Sequence, residues 1–308
     1  MKVLIAIKRD YANVGYTFSE MLNKVGVNTV ALSVYGSRMQ KLGGLRKAEK
    51  VNGEEMQKQA KEADIIIFMH SEIPIEATEL KKLKNKRYFV FHGGSSYRDK
   101  SRAKNRIFNP LVEKCLIQTR ELFDRGAKNE VWLLPPVNLD IIKPMYERFS
   151  DKLIIGHYPT SVIGKNSLIF NEVIDKLKED KDLTDKFEYR FEEEVIAWTE
   201  HLKRVSECDI YLEQIEFIGE WSISALEAAA LGCVVVTNFK SVELYRKEFG
   251  ECAIQIANDK NQLEQVLRRL ILTSDKEIQR LKYESRKWVE QFHSYDYVGN
   301  RLKKILGL

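Results

Sequence analysis

The sequence predicts an α/β protein built on parallel, doubly wound sheets, and three observations support this prediction. Short apolar runs alternate with segments of helical periodicity along the chain, which is typical of a parallel sheet covered by helices. The stretch Asp209–Asn238 reads as strand, helix and strand with no room for a hairpin, so its strands should run parallel. A chain of 308 residues with 44% apolar residues is long enough for two domains with separate cores.

In the first half, Val3–Ile7 predicts a buried strand, followed by a polar loop and a helix to about residue 25. Further apolar runs predict strands at residues 28–34, 64–69, 87–91, 113–119 and 130–134, with helices near 54–62, 75–83 and 120–126. Residues 36–52 are rich in Gly, Lys and Arg and predict a mobile loop. The fingerprint G-x-G-x-x-G is absent after the first strand, which argues against a dinucleotide-binding domain.

Two prolines, Pro135 and Pro136, end the last strand of this half, and the segment VNLDIIKP leads into the second half. Strands are predicted there at residues 152–156, 188–191, 210–212, 234–236 and 253–256. Helices are predicted at about 165–178, 193–206, 222–231, 241–247, 259–272, 274–291 and 295–306. Gly232 supplies the stop signal of the helix that begins at Ser222.

Composition and charge restrict the class of protein. No apolar run approaches the roughly 20 residues of a membrane span, and the N-terminus reads as a strand without a signal peptide, so we expect a cytoplasmic protein. Four scattered cysteines show no metal-binding spacing and are expected to be core thiols. Residues 1–150 hold 27 Lys and Arg against 17 Asp and Glu, whereas residues 151–308 hold 23 against 28. The basic first half therefore suggests an anionic partner, such as lipid head groups at the inner face of a membrane.

A phosphate site is predicted at the start of the helix in the stretch Asp209–Asn238. Ser222, Ile223 and Ser224 open this helix, and its unpaired N–H groups and positive dipole end favour an anion. Glu227 lies among alanines and leucines, where a carboxylate needs a partner such as a pair of sugar hydroxyls. The alternative is that this lone acid faces solvent.

A second loop has the chemistry of a phosphate cradle. Residues 156–167 follow a strand and open a helix, and they contain Thr160, Ser161 and Lys165. Hydroxyls, an ammonium and a helix start together suit a phosphate. The alternative is a solvated lysine, which is common at a helix start.

These two segments, with the hinge at residues 135–144, resemble the retaining family 4 of the GT-B glycosyltransferases. The resemblance implies two doubly wound Rossmann-like domains facing a cleft, with the donor held mainly by the second domain. It also implies that the last helix returns to the first domain, giving an N-terminal domain of residues 1–146 plus 295–308 and a C-terminal domain of residues 147–294. In this family the residue at Glu227 binds the ribose of a nucleotide sugar, and the residue at Lys165 neutralises its diphosphate. Gly219 stands where the family has a sugar-facing glutamate, and Glu220 is next to it.

In the first half, the segment HGGSSYR resembles the family motif H-G-S-x-x-R with one residue inserted. The resemblance gives His92 a catalytic position facing the donor sugar and places Arg98 on the acceptor side. His70, which ends the preceding strand, is a second candidate on the acceptor side. Gly15 matches the glycine loop that approaches the diphosphate from the first domain, and it is equally compatible with an ordinary turn.

The resemblance implies a retaining, metal-independent glycosyltransferase that moves a sugar from a UDP- or GDP-linked donor to a hydroxyl of a glycan, glycolipid or polysaccharide. No cofactor beyond the donor is expected, and no Asp-x-Asp run with metal spacing occurs. Two alternatives stay open. One is a non-catalytic relative that binds an anionic polymer or membrane, and the other is a sugar transferase that acts on DNA, although no nucleic-acid recognition motif is found.

Overall fold

The computed structural model describes residues 1–36, 47–147, 150–194, 196–216 and 219–308. Most of the loop predicted at residues 36–52 lies outside these described residues. The chain divides into two compact units. The first unit comprises Met1–Pro136 and Ser294–Leu308, and the second comprises Val137–His293. The division therefore falls after Pro136, whereas the sequence-based boundary follows residue 146.

The first unit is built around a parallel sheet of seven strands. They are β1 (Lys2–Ile7), β2 (Asn28–Ser33), β3 (Glu49–Lys50), β4 (Ile65–Phe68), β5 (Arg87–His92), β6 (Lys114–Ile117) and β7 (Glu130–Trp132). Their order across the sheet is β3-β2-β1-β4-β5-β6-β7. The central strands are fully buried because their apolar runs are covered on both faces, as the sequence predicts for a parallel sheet. The short strand β3 was not predicted and lies within the predicted loop.

The helices of the first unit are α1 (Val14–Lys24), α2 (Gly53–Glu62), α3 (Ala77–Leu80) and α4 (Gly94–Phe108), together with the last helix of the chain, Tyr295–Ile305. The last helix packs on α1. A Cβ at Gly299 would lie 2.9 Å from Val25 Cγ1, so the absent side chain permits this close approach. The Tyr295 hydroxyl also donates to Glu20 at 2.8 Å. This contact explains why the end of the chain belongs to the first unit.

The second unit contains a parallel sheet of five strands. They are β8 (Leu153–His157), β9 (Phe187–Phe191), β10 (Ile210–Leu212), β11 (Val234–Thr237) and β12 (Gln255–Ile256). Their order is β12-β11-β10-β8-β9. The helices are α5 (Val162–Lys165), α6 (Ser167–Glu179), α7 (Trp198–Ser206), α8 (Ile223–Leu231), α9 (Val242–Phe249), α10 (Lys260–Ile271) and α11 (Asp275–Phe292). The last helix of the chain is therefore α12. The predicted α/β class with two parallel sheets is confirmed.

The helix at the centre of the second unit, α8, ends as the sequence predicts. Gly232 adopts a positive φ of 92°, which residues with a side chain rarely adopt. Its N–H donates to Ala229 O at 3.1 Å, and the N–H of Cys233 donates to Ala228 O at 2.9 Å. These two bonds form a Schellman motif, which satisfies the last carbonyls of the helix. Among the described residues, no helix is both long and apolar enough to span a membrane.

Candidate functional site

The topology of the second sheet defines where a ligand should bind. In this sheet β8 lies between β9 and β10. The chain passes from β8 to β9 on one side and then crosses to β10 on the other side. Strands β8 and β10 therefore flank the switch point of the sheet, and open α/β sheets bind ligands beyond the carboxyl ends of such strands. The loops that follow these two strands carry Lys165 and Ser222. The fold thus brings the two predicted phosphate segments to one edge.

A buried histidine at this edge connects β8, β10 and α6 through hydrogen bonds. His157, at the end of β8, donates from Nδ1 to the carbonyl of Leu212 at 2.8 Å, at the end of β10. Its Nε2 accepts from the Ser167 hydroxyl at 2.8 Å, at the start of α6. Burial lowers the pKa of His157 to about 4, so the ring is neutral and can keep both roles at neutral pH. Sequence reasoning gave this residue no role because a strand-end histidine carries no local signal of its partners.

Lys165 lies at the tip of α8, and its ammonium makes three hydrogen bonds. It donates to the Glu213 carboxylate, to Gln214 Oε1 at 3.1 Å and to Ser222 Oγ at 3.1 Å. An ammonium has three donors, so all of them are used within the second unit. The alternative that Lys165 is an ordinary solvated lysine at a helix start does not fit these contacts. Asn166, which follows it, has φ 58°, the left-handed conformation in which Asn is the common substitute for Gly.

Glu213 is a central residue of the site that sequence reasoning missed. Its side chain has no exposed surface, and it pairs with Lys165. The Ser222 hydroxyl donates to its Oε1 at 2.7 Å, and the Thr237 hydroxyl donates to its Oε2 at 2.9 Å. The carboxylate thus joins the ends of β10 and β11 to α8. One signal in the sequence could have identified Glu213: the polar pair Glu213-Gln214 comes directly after a buried strand. A buried polar residue at such a position usually has a specific hydrogen-bond partner.

The first turn of α8 keeps its amides oriented toward the site. Ser222 occupies the N-cap position, but its side chain does not cap the helix because its hydroxyl is engaged with Glu213 and Lys165. Ser224 lies 2.9 Å from Ser222, Oγ to Oγ, and Ile223 lies between them. Both Ser224 and Ile223 are partly exposed. The N-terminus of α8, with the Lys165 ammonium beside it, is therefore a polarised site suited to an anion.

The other residues of the predicted phosphate loop lie on the surface. Thr160 and Ser161 are exposed. The Ser161 side chain accepts from the N–H of Gly164 at 3.1 Å and thereby caps α5. Ser161 thus shapes the turn that carries Lys165, while the structure gives Thr160 no such contact.

Glu227 is partly buried, and its carboxylate accepts a hydrogen bond from Trp198 Nε1 at 2.8 Å. Burial raises the pKa of Glu227 to about 7, and the Trp198 hydrogen bond opposes this rise. The carboxyl therefore lies close to its titration midpoint at neutral pH. Trp198, on α7, was missed because it lies 29 residues away in sequence. The alternative of an ordinary solvated acid does not fit this environment.

The segment that precedes α8 is fixed through its backbone. Asn238 donates from Nδ2 to the carbonyl of Gly219 at 2.8 Å, and Gln214 donates from Nε2 to the carbonyl of Glu220. The Glu220 side chain is buried. Trp221 packs edge-on against Tyr245 and Trp288. Both Gly219 and Glu220 thus lie within hydrogen-bonding reach of residues at the ends of β10 and β11.

The first sheet has its own switch point, between β1 and β4. His70 follows β4 with φ 56°, and its Nε2 lies 3.4 Å from the N–H of Tyr11 and 3.6 Å from Asp10 Oδ1. Gly15 serves a packing role here. Its N–H donates to Asp10 at 2.9 Å, and an added Cβ would lie 2.3 Å from Ile7 Cδ1. Because the amide is already bonded, a contact of Gly15 with a diphosphate would have to exchange this bond, and that contact stays a prediction.

His92, which is predicted to face the donor sugar, is buried within the first unit, and its side chain has no exposed surface. Its Nδ1 lies 2.8 Å from Ser71 Oγ, and its ring stacks on Tyr97 at 4.0 Å. Burial, with the charge of Lys104, lowers its pKa to about 3, so the ring stays neutral. His92 is a core residue in this structure, and its contact with a donor sugar stays a prediction that requires the ring to become accessible.

Arg98 also has a role within the first unit. It pairs with Glu121 at 2.8 Å, and both side chains are largely buried. This pair ties α4 to the turn at Arg120–Leu122, and the acceptor contact of Arg98 stays a prediction. Among the described residues, no group of three His, Cys, Asp or Glu side chains is placed to hold a metal ion.

Comparison with solved structures identifies the class of fold. The chain is similar to HepE from Anabaena, solved in complex with UDP-glucose, with 9% identity and a TM-score of 0.67 over 100% of this chain and 99% of that chain. It is similar to a glycosyltransferase from Rickettsia africae, with 13% identity and a TM-score of 0.67 over 98% and 97%. It is also similar to sucrose-phosphate synthase from Thermosynechococcus elongatus, with 11% identity and a TM-score of 0.61 over 100% and 98%.

The fold is therefore the GT-B fold, the one used by these glycosyltransferases. No family model matches the sequence, and no curated protein matches it.

Proposed function

We propose that the protein is a glycosyltransferase that moves a sugar from a nucleotide diphosphate sugar to a hydroxyl acceptor. One observation carries this proposal: the Lys165 ammonium lies 3.1 Å from Ser222, at the N-terminus of α8, at the switch point of the second sheet. Glu227 lies five residues further along the same helix, a rise of about 7.5 Å. A single helix thus offers an anion site at its end and a carboxyl for ribose hydroxyls within its second turn.

The chemistry of the site suits departure of a nucleoside diphosphate. When the bond between sugar and phosphate breaks, negative charge develops on the leaving diphosphate. Oriented amides at Ile223 and Ser224 and the nearby ammonium would stabilise that charge. Lys165 can bind the diphosphate directly only by exchanging one of its present contacts. The neutral acceptors Gln214 and Ser222 are the partners that can be replaced at least cost, because the Glu213 contact is a buried ion pair.

The donor is proposed to be UDP-linked, because HepE has been solved with UDP-glucose and with UDP. Retention of the anomeric configuration rests on the resemblance to family 4. The acceptor is proposed to be a glycan, glycolipid or polysaccharide hydroxyl that approaches the basic first unit. Docking at an anionic inner membrane surface belongs to the same proposal, as does activity without a divalent ion or a further cofactor.

The test is a panel of UDP-, GDP- and ADP-sugars, with thermal stabilisation and nucleotide release as readouts. We expect stabilisation and slow release with one base class, unchanged by EDTA, and an α-anomeric product by NMR from an α-linked donor. Glu227→Gln should weaken binding of the nucleotide at pH 8, above the pKa of about 7 of Glu227, because an ionised carboxylate accepts ribose hydroxyls better than an amide. Glu172→Gln is the matched control, since Glu172 lies on the same unit in an exposed pair with Lys260. Absence of binding across the whole panel would remove the proposal.

A second candidate is a non-catalytic relative that binds a nucleotide sugar or an anionic polymer without turnover. Two observations favour it: all three donors of Lys165 are engaged within the protein, and Gly219 stands where the family has a sugar-facing glutamate. The same panel separates the two candidates. Stabilisation by a nucleotide sugar without release of nucleotide, in the presence of a range of hydroxyl acceptors, would support the second.

A further inference from the structure

The charge balance at the N-terminus of α8 is unusual for an anion site. The Lys165 ammonium is paired with the Glu213 carboxylate, and the two side chains are 14% and 0% exposed. The nearest cation is therefore already neutralised by a buried anion. A site built only to attract a diphosphate would leave this ammonium free, so the presence of Glu213 needs an explanation of its own.

The negative charge of Glu213 lies very close to the end of the helix. Its Oε1 is 2.7 Å from the hydroxyl of Ser222, which is the N-cap residue of α8. Thr237 donates to the other oxygen at 2.9 Å, which holds the carboxylate in place. A phosphate bound at the helix end would lie within a few ångströms of this carboxylate. The carboxylate would not contact that phosphate, but it would repel it across a short and poorly screened distance.

This repulsion acts differently on the substrate and the product of the proposed reaction. In a nucleotide sugar each phosphate carries one ester bond and one anhydride bond, so each has one negative charge. In the nucleoside diphosphate product the terminal phosphate has lost its sugar ester and keeps only the anhydride bond, so it has a second ionisation with a pKa of about 6 and carries close to one charge more at pH 7.5. A fixed anion at the site therefore penalises the product more than the substrate.

We propose that Glu213 is an internal counter-ion that weakens retention of the nucleoside diphosphate product relative to the nucleotide sugar. This inference rests on the proposed function, because it assigns a role to a residue of that same site. Glu213 acts through its charge and through Lys165, and it is a positioning residue. Lys165 supplies attraction for the diphosphate, and Glu213 limits how strongly the extra charge of the product is held.

The first experiment measures the dissociation constants of UDP and UDP-glucose by calorimetry at pH 7.5 for the wild type and Glu213→Gln. If the panel above selects another base, its diphosphate and sugar conjugate are used. The substitution leaves a net positive charge at the site. We expect the preference for the diphosphate over the sugar conjugate to rise about tenfold, the size of effect that one unit charge has at a partly screened distance. An unchanged or lower preference in a folded Glu213→Gln protein would overturn the inference.

A second variant keeps the inference testable if Glu213→Gln does not fold. Lys165→Met combined with Glu213→Gln removes both charges, and replacing a buried ion pair with neutral groups is often tolerated. Because the net charge of the site is then the same as in the wild type, we expect the preference to change by less than about threefold. If Lys165 alone governed binding, the double variant would disfavour the more highly charged UDP by about tenfold. That result would overturn the inference.

Glu172→Gln is the matched control, because it removes the same charge from an exposed ion pair of the second unit. It should leave both dissociation constants unchanged. The outcomes distinguish the two proposals. Failure of the wild type to bind any nucleotide of the panel would remove the proposed function and this inference together. If the wild type binds these nucleotides and Glu213→Gln leaves the preference for the diphosphate over the sugar conjugate unchanged, only the inference is overturned.

Discussion

The carboxyl of Glu227 provides the sharpest test of the site. It is partly buried on α8, and burial raises its pKa from 4.5 to about 7. Between these two pH values the folded protein holds a proton on Glu227 that the unfolded chain has released. The folded state binds more protons, so the free energy of unfolding must fall as the pH rises from about 4.5 to 7. Glu227→Gln removes the titrating group and keeps an acceptor for Trp198 Nε1.

The size of the effect follows from the two pKa values. One pKa unit corresponds to about 1.4 kcal/mol, so the ionised Glu227 costs the folded state about 3 kcal/mol above pH 7. The Gln variant has no such cost. We expect the variant and the wild type to be nearly equal in stability near pH 4.5, and the variant to be more stable by up to about 3 kcal/mol at pH 8.

The assay is urea unfolding followed by circular dichroism at a series of pH values, with Glu172→Gln as the control for loss of a carboxylate. Tryptophan fluorescence is recorded in parallel and mainly reports the second unit, which holds Trp198, Trp221 and Trp288, whereas the first unit holds Trp132 alone. Parallel pH curves for the wild type and Glu227→Gln would refute the assignment of a strongly perturbed carboxyl. A difference that grows toward low pH would contradict the sign of the argument.

Other predictions concern the buried pair, a glycine and a histidine. Lys165→Met leaves Glu213 buried and unpaired, so it should lower the free energy of unfolding by about 3–5 kcal/mol, and Glu213→Gln in the same chain should restore most of the loss. If chemical unfolding showed equal stability for the single and double variants, the ion pair would not be structural. Gly15→Ala should destabilise the first unit by about 1–3 kcal/mol through overlap with Ile7, without changing the dissociation constant of a nucleotide. A weakened nucleotide affinity in this variant at full stability would instead support the predicted contact of Gly15 with a diphosphate. The pKa of His157 is lowered to about 4, so the contribution of its neutral ring is complete above pH 6.5 and is lost as the pH falls toward 4. The destabilisation caused by His157→Asn, measured by urea titration, should therefore shrink over that range, and a constant difference would count against the buried neutral ring.

Much of the fold was predictable because the information is local. The apolar runs of β1, β4, β8 and β11 are continuous because both faces of a parallel sheet are covered, and the sequence shows this directly. The end of α8 was predictable for the same reason, since Gly232 is needed for a positive φ. The short strand β3 was missed because two residues give no periodicity. The two predicted phosphate segments lie at the same edge of the sheet because each follows one of two adjacent parallel strands, β8 and β10. This placement could be predicted from the alternation of strands and helices.

The α/β class, the order of the elements and the polar residues at the ends of the central strands could all be read from local patterns in the sequence. Which of these polar residues contact one another depends on the packing of distant segments. The pair Lys165–Glu213 joins residues 48 apart in sequence, and no local pattern encodes that pairing. His92 and Lys165 were both predicted as site residues because each follows a strand. In the structure, His92 is buried against Tyr97, whereas Lys165 reaches the N-terminus of α8. The physical reason is that burial and charge pairing depend on which elements pack over a residue, and this is set by the register and packing of segments distant in the chain.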